Sequence, residues 1–301
     1  MAESPTFTID PVELGDIAEP KKLALEIHRQ LRTQLGAVPL ALPLAKIAED
    51  VGIVGMKEFE TKEFEGTLVI SEGRGAIGLR KGMRSGRRNF TIGHEIGHFL
   101  IPSHRLAKVK FECSSADLKR NRSSNQKWDS IPPAQRIEIQ ANEFAAELLV
   151  PMPEFRAERR KLGKGADLGR LRELAKSFDV SLEMMSGVYV RDVEDLAAII
   201  ISQDRVIRRI IPATDFPYMG LRSGSPVPEA AFTRTWVGKS RPGDVSDHKE
   251  VSTSTWLEKR GRVEAIYEQT MAQANGWATT LLTIEQAEED DEDEDRNWNR
   301  R

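Results

Sequence analysis

One stretch in the first half of the chain decides the expected fold: residues 88–100 read RNFTIGHEIGHFL. Its apolar residues recur at helical spacing, which predicts an amphipathic helix from about Arg87 to Leu100 or Ile101. The helix is expected to end there, because Pro102 cannot continue the hydrogen-bond ladder and disfavours helical backbone in the residue before it. Three short strand-like runs precede this helix, so the pattern favours a small sheet packed on it.

The same stretch contains the pattern H-E-x-x-H, with His94 and His98 on either side of Glu95. Positions i and i+4 lie on one helical face, so both imidazoles can reach a single ion. Zinc lowers the pKa of its bound water toward about 7 and polarises a scissile carbonyl. Glu95 lies about a hundred degrees round the helix from His94, where its carboxylate can take the proton of that water. The pattern predicts a metal-dependent hydrolase with Glu95 as its general base.

The third ligand has two competing sources, since a catalytic zinc normally keeps three protein ligands and one open position. His104 has the spacing of H-E-x-x-H-x-x-G-x-x-H. However, Ile101 stands where that motif has its glycine, and a β-branched residue avoids positive φ. The other source is the later segment EIQANEFAAELLVP, in which Glu138 shares a largely apolar helical face with Asn142. A buried carboxylate there is costly unless it binds something, and Asn142 could hydrogen-bond a ligating histidine.

Taken together, the two segments resemble the ImmA/IrrE family of metallo-endopeptidases. That family typically has a Phe-Thr-x-x-His-Glu-x-Gly-His helix and, later, a Glu-x-x-Ala-Asn-x-Phe-Ala-x-x-Leu-Leu-x-Pro helix, and both occur here in that order. The resemblance covers about residues 20–155. It implies a gluzincin-like zinc site in which Glu138 joins His94 and His98 as a ligand and Glu95 is the general base. It also implies a substrate, a helix-turn-helix transcriptional repressor.

The expected fold class is α+β, with a zincin-like peptidase domain, a helical hairpin and a small mixed C-terminal module. The expected divisions are a flexible arm over residues 1–20, the metallopeptidase domain over 21–162, the hairpin over 163–196, the mixed module over 197–285 and a disordered acidic tail over 286–301.

Within the peptidase domain the pattern predicts local elements on both sides of the HExxH helix. Predicted strands are Ile53–Phe59, Gly66–Ser71 and Gly75–Leu79, and predicted helices are Lys21–Leu35, Leu44–Asp50 and Ala134–Val150. The run Gly75–Leu79 is the expected sheet edge for an extended peptide substrate. The polar residues 103–131 are expected to form a loop excursion or a lid. A further helix is expected near Ser254–Asn275 in the C-terminal module.

Cys113 is the only cysteine, so an internal disulfide is excluded and a reducing compartment is favoured. No apolar run approaches the roughly 18 residues of a membrane span, and the opening residues lack the features of a secretory signal. We therefore expect a cytoplasmic protein without a membrane partner. Two hypotheses are open for Cys113: it is a small buried hydrophobe, or its thiolate reaches the open zinc position and holds the enzyme latent.

Charge is unevenly placed along the chain. Residues 288–295 are all acidic, whereas the rest is near neutral despite the net charge of −3. This composition lacks a basic footprint, so direct nucleic-acid binding is not expected. Two alternatives to a zinc peptidase are kept. One is a DNA-binding regulator acting through residues 168–190, which resemble a helix-turn-helix; the other is a metal-binding regulator that binds a repressor without cleaving it. The predicted ligands suit Mn²⁺ or Fe²⁺ as well as Zn²⁺.

Overall fold

The computed structural model describes residues 6–119 and 127–287, which confirm the α+β class. These residues form two compact units. The first unit contains residues up to Lys161 together with Glu173–Met184, and the second contains Leu162–Arg172 and the residues from Met185 onward. The predicted division into domains remains a prediction, and the acidic residues 288–295 lie outside the described part. None of the described helices is both long enough and apolar enough to cross a membrane.

The helices of the described chain follow the apolar periodicity of the sequence in most places. They are α1 (Pro20–Leu35), α2 (Leu44–Asp50), α3 (Ser85–Leu100), α4 (Pro102–Ala107), α5 (Pro133–Leu149), α6 (Met152–Leu162), α7 (Leu168–Ser177), α8 (Leu182–Asp192) and α9 (Phe232–Val237). The HExxH helix is α3, and it ends directly before Pro102 as predicted. Directly after α3 the chain forms the short helix α4 and not the irregular lid that was expected. Pro102 lies in the first turn of α4, where its missing N–H costs nothing.

The sheet of the first unit has the strand order β1-β3-β2-β4. Its strands are β1 (Ile53–Phe59), β2 (Gly66–Ser71), β3 (Arg74–Arg80) and β4 (Lys110–Cys113). β1 is parallel to β3, and the other pairs are antiparallel. The prediction that Gly75–Leu79 forms the sheet edge is wrong, because β3 is paired on both sides and only β1 and β4 are edges. β4 arises from the expected lid, so that segment is partly built into the sheet.

Helices α3 and α5 pack directly on each other, and this contact sets the position of the site. Small residues line the crossing: an added Cβ at Gly97 would lie 2.9 Å from Phe144 Cδ1 and 3.4 Å from the Ala141 backbone. Helices approach this closely only where one of them lacks side-chain bulk. The other face of α5 packs on α1, where the buried His28 Nε2–H donates to the Leu148 carbonyl at 2.8 Å.

The segment before α1 differs from the predicted flexible arm. Phe7, Ile9 and Leu14 are buried, and three backbone N–H groups, including that of Thr8, donate to side chains of the helices. The N–H of Ile9 donates to Asp50 at 3.0 Å, and that of Asp10 donates to Gln30 at 2.7 Å. The apolar residues of this segment have no regular period, so a periodicity argument could not detect their burial.

The second unit contains a five-stranded antiparallel sheet in the order β6-β5-β9-β8-β7. Its strands are β5 (Leu196–Gln203), β6 (Val206–Pro212), β7 (Lys249–Val251), β8 (Val263–Ala272) and β9 (Trp277–Gln286). The helix predicted near Ser254–Asn275 is wrong, because Val263–Ala272 within that segment form β8. The overlooked signal is Asn275-Gly276, whose φ values of 56° and 73° form the turn between β8 and β9.

Candidate metal centre

The two predicted histidines and Glu138 come together where α3 crosses α5. Both imidazoles are fully buried, and their Nε2 atoms are 2.9 Å apart. The Glu138 Oε2 atom lies 3.3 Å from His94 Nε2 and 3.5 Å from His98 Nε2. This oxygen is buried and has no hydrogen-bond partner among the described residues. Three donors therefore face one small volume.

A fourth donor reaches the same point from the sheet. The Sγ atom of Cys113 lies 3.3 Å from His94 Nε2 and 3.6 Å from His98 Nε2. Together with Glu138, these residues present one ligand atom each, and all four atoms lie within 4.8 Å of one another. The set combines two imidazoles, a carboxylate and a thiol, all of which are ligands that zinc accepts.

The spacing of these donors suits a single metal ion. Zinc–nitrogen and zinc–oxygen bonds of about 2.0–2.2 Å place two such donors about 3.3–3.5 Å apart, and a thiolate bonded at about 2.3 Å lies about 3.6 Å from a nitrogen. The two distances from Glu138 match these values, and so does that from Cys113 to His98. The Cys113–His94 distance of 3.3 Å and the separation of the two Nε2 atoms, 2.9 Å, are shorter. The residues present fit a bound zinc ion.

His94 is held in the orientation that a ligand needs. Its Nδ1–H donates to Asn142 Oδ1 at 2.8 Å, and the Asn142 amide donates in turn to the Asp117 carbonyl at 2.7 Å. The second bond fixes which way the Asn142 amide points, so its oxygen faces the imidazole. The lone pair of Nε2 is thereby directed at the donor cluster, which is the arrangement that commonly orients metal-binding histidines.

His98 is supported from behind by His104, the alternative ligand, which the structure does not place in the donor cluster. His98 Nδ1–H donates to His104 Nδ1 at 3.1 Å, and His104 Nε2–H donates to Gln140 Oε1 at 3.1 Å. Phe111 stacks on the His98 ring with the centroids 4.2 Å apart. Burial lowers the pKa of His98 to about 3 and that of His104 to about 4, so both rings are neutral. The lone pair of His104 accepts from His98, and that of His98 Nε2 faces the donor cluster.

Glu95 lies beside this cluster, fully buried, and neither of its carboxylate oxygens has a hydrogen-bond partner among the described residues. Burial raises the pKa of Glu95 to about 7, although the neighbouring His94 and Cys113 oppose part of the rise. The carboxylate fits against the β2 backbone because Gly66 has no side chain. A Cβ at Gly66 would lie 2.5 Å from Thr91 Cγ2 and still closer to Glu95 Oε1.

Several residues that shape the site were not identified from the sequence. Gly66, Phe111 and Gln140 all contact a predicted site residue, yet none belongs to the HExxH pattern. A usable signal was present for β4, since apolar and polar residues alternate from Val109 to Cys113 with the period of two that marks a strand. No comparable local signal marks Gln140.

Comparison with known proteins gives one family match. The sequence profile of the family described as the IrrE N-terminal-like domain, a metallopeptidase family, matches residues 48–186. No curated protein matches the chain. Among solved structures, a Mycobacterium tuberculosis transcriptional regulator is similar with 14% sequence identity and a TM-score of 0.47, over 91% of this chain and 74% of that chain.

Proposed function

This chain belongs, through residues 48–186, to the ImmA/IrrE family of metallopeptidases, and from that premise we propose that it is a zinc-dependent endopeptidase. One observation carries the proposal: donor atoms of His94, His98 and Glu138 converge on one point beside the buried, unpaired carboxylate of Glu95. A buried carboxyl group without a partner costs free energy, and such groups collect at sites of chemistry.

In this proposal His94, His98 and Glu138 hold the ion, which is Zn²⁺ or, with the same ligands, Mn²⁺ or Fe²⁺. When bound, the metal supplies Lewis acidity, which makes water more acidic and a peptide carbonyl more electrophilic. Asn142 and His104 act as positioning residues, because each accepts the Nδ1–H of one ligating histidine and thereby fixes its ring.

Glu95 is the proposed general base. Its carboxylate takes a proton from the attacking water and later gives it to the nitrogen of the departing amine, so the residue is unchanged at the end of the cycle. Burial favours this role, because it destabilises the charged carboxylate and raises the pKa of Glu95 to about 7. A group with such a pKa can both accept and release a proton near neutral pH. Because Gly66 has no side chain, the carboxylate has room beside the cluster.

The proposed substrate is a helix-turn-helix transcriptional repressor, which the family resemblance implies. We infer that its cleaved segment binds in extended form along β4, since β4 is an edge strand and carries Phe111 and Cys113 into the site. No other described strand pairs with its outer side. A cytoplasmic location belongs to the same proposal, because a repressor is found there.

Metal content and cleavage test different parts of the proposal and are best measured together. The wild type, Glu138→Ala and His104→Ala are purified without chelator, and bound zinc is counted by mass spectrometry. Glu138→Ala is expected to lose the metal, whereas His104→Ala retains it with lower affinity. Loss of the metal only in His104→Ala would overturn the ligand assignment.

Cleavage is followed on a proteome-derived peptide library, in which new amino termini are identified by mass spectrometry. The matched control is Glu95→Gln, which keeps the size and burial of the side chain but removes the base. We expect Glu95→Gln to retain zinc and to lose cleavage. Equal sets of new termini from the wild type and from Glu95→Gln would refute the assignment of Glu95.

A regulator that holds a metal without cleaving is the second candidate, and the fourth donor favours it. Structural zinc sites have four protein ligands, whereas catalytic sites keep one position open, and Cys113 lies where it can fill that position. This candidate predicts that Glu95→Gln changes no function in the cell while Glu138→Ala abolishes it. The endopeptidase predicts loss in both variants.

A further inference from the structure

The sheet brings the thiol of Cys113 to the three ligands that were expected from the sequence. We propose that Cys113 is the fourth ligand of the resting metal and that it keeps the enzyme latent by filling the position that water needs. The inference rests on the proposed endopeptidase function. It extends that function to a means of regulation contained within the peptidase unit.

The placement of Cys113 is set by strand geometry. In β4 the side chains alternate, so that Phe111 and Cys113 are buried while Lys110 and Glu112 are exposed. Cys113 is paired with Gly66 of β2, the same glycine that makes room for Glu95. The register of β2 and β4 therefore delivers the thiol to the end of the sheet where the general base stands.

The surroundings of the thiol are those of a ligand and not of a small hydrophobic residue. Its Sγ lies 3.3 Å and 3.6 Å from the Nε2 atoms of His94 and His98, whose lone pairs point at it. The carboxylates of Glu95 and Glu138 complete the neighbourhood, and Glu95, which is fully buried, has no hydrogen-bond partner among the described residues. An apolar side chain would leave these groups without compensation.

Coordination by Cys113 has a direct consequence for catalysis. Four protein donors make a closed site, and a catalytic zinc needs one open position for water or substrate. The fraction of active molecules then equals the fraction in which the thiolate is off the metal. If the thiolate is bound in about 90–99% of resting molecules, removing it raises kcat/KM about 10- to 100-fold.

Coordination is tested by spectroscopy on the full-length protein, independently of any cleavage. The metal is exchanged for Co²⁺, and the near-ultraviolet absorption from sulfur-to-cobalt charge transfer is recorded. The wild type is expected to show this absorption and Cys113→Ala to lack it while still binding one Co²⁺. Cys113→Ser, which preserves volume, should agree with Cys113→Ala. Glu112→Ala, on the exposed face of the same strand, is the matched control and should keep the wild-type spectrum.

Latency is tested on the zinc forms with the peptides cleaved fastest from the library. Cys113→Ala should cleave them about 10- to 100-fold faster than the wild type. A wild type without sulfur-to-cobalt absorption overturns the proposal whatever the activities are. Absorption with equal activity in the wild type and Cys113→Ala overturns latency. If absorption is present and no variant cleaves any peptide, the endopeptidase function has failed while coordination by Cys113 stands, and latency falls with the function.

Discussion

Replacing Gly66 by alanine tests how the sheet positions the proposed base. The new Cβ would lie 2.5 Å from Thr91 Cγ2 and closer still to Glu95 Oε1, whereas ordinary contacts of this kind are 3.4–4 Å. An overlap of about 1 Å must be relieved by movement of β2 or of the α3 side chains. Thr91 has little freedom, because it is fully buried and its hydroxyl donates to the Arg87 carbonyl at 3.0 Å. The carboxylate of Glu95 is therefore the group that moves.

The expected magnitudes follow from this overlap. Overpacking costs about 1–3 kcal/mol, and the gain from replacing a strand glycine offsets about 0.5–1 kcal/mol of it. We expect Gly66→Ala to lower the free energy of unfolding by about 1–2 kcal/mol. A displacement of about 1 Å at a catalytic group is expected to lower kcat/KM about 100-fold. Zinc content should stay at the wild-type value, because the atoms nearest the new Cβ belong to Glu95 and Thr91 and not to His94, His98 or Glu138.

Denaturant unfolding of the zinc-loaded protein measures the first effect, and steady-state cleavage of the best library peptide measures the second. Gly55→Ala is the matched control: it lies in β1 of the same sheet, and nothing lies within 4 Å of its added Cβ. It should match the wild type in activity and be equally stable or slightly more stable. Wild-type activity and stability in Gly66→Ala would show that Glu95 does not depend on this contact.

Three further predictions concern the metal, the helix crossing and pH. Asn142→Ala should weaken zinc binding about 10- to 100-fold in competition with a chromophoric chelator, since His94 loses its orienting acceptor; unchanged affinity would contradict this. Gly97→Ala should destabilise the fold by about 1–3 kcal/mol in thermal unfolding. Gly93→Ala is the control and should be tolerated, because its Cβ would lie 3.4 Å from its nearest neighbour. Equal stability of the two variants would refute the idea that Gly97 is needed for the close packing of α3 on α5. Burial alone would raise the pKa of Glu154, but the two hydrogen bonds from Arg32 lower it below its ordinary value. These bonds therefore contribute their full stability at a pH above the unfolded pKa. That stability is lost as the pH falls through the folded pKa. Glu154→Gln should cost about 1–2 kcal/mol at pH 7, an amount reduced by the partial exposure of the pair, and the difference from the wild type should vanish in acid; a cost independent of pH would exclude this ion pair as its source.

Much of the peptidase unit follows from local patterns in the sequence. The apolar period located α1, α2, α3 and α5, and the strand-like runs located β1, β2 and β3 within a residue of their observed bounds. The spacing of His94 and His98 placed both on one face of α3, because one helical turn brings i and i+4 together whatever surrounds the helix. The facing position of Glu138 was implied by the family resemblance, and the structure places it opposite both histidines.

The sequence alone determined the helices that carry the donors, since backbone periodicity is a property of neighbouring residues. Tertiary structure decided which faces meet. Cys113 reaches the cluster only through the pairing of β4 with β2, and His104 is withdrawn from it because α4 turns that ring behind His98. The space for Glu95 depends on Gly66, which is remote from it along the chain. Such contacts join residues that are far apart along the chain, and the local spacing of apolar residues carries no information about them. Only the packed structure therefore reveals them.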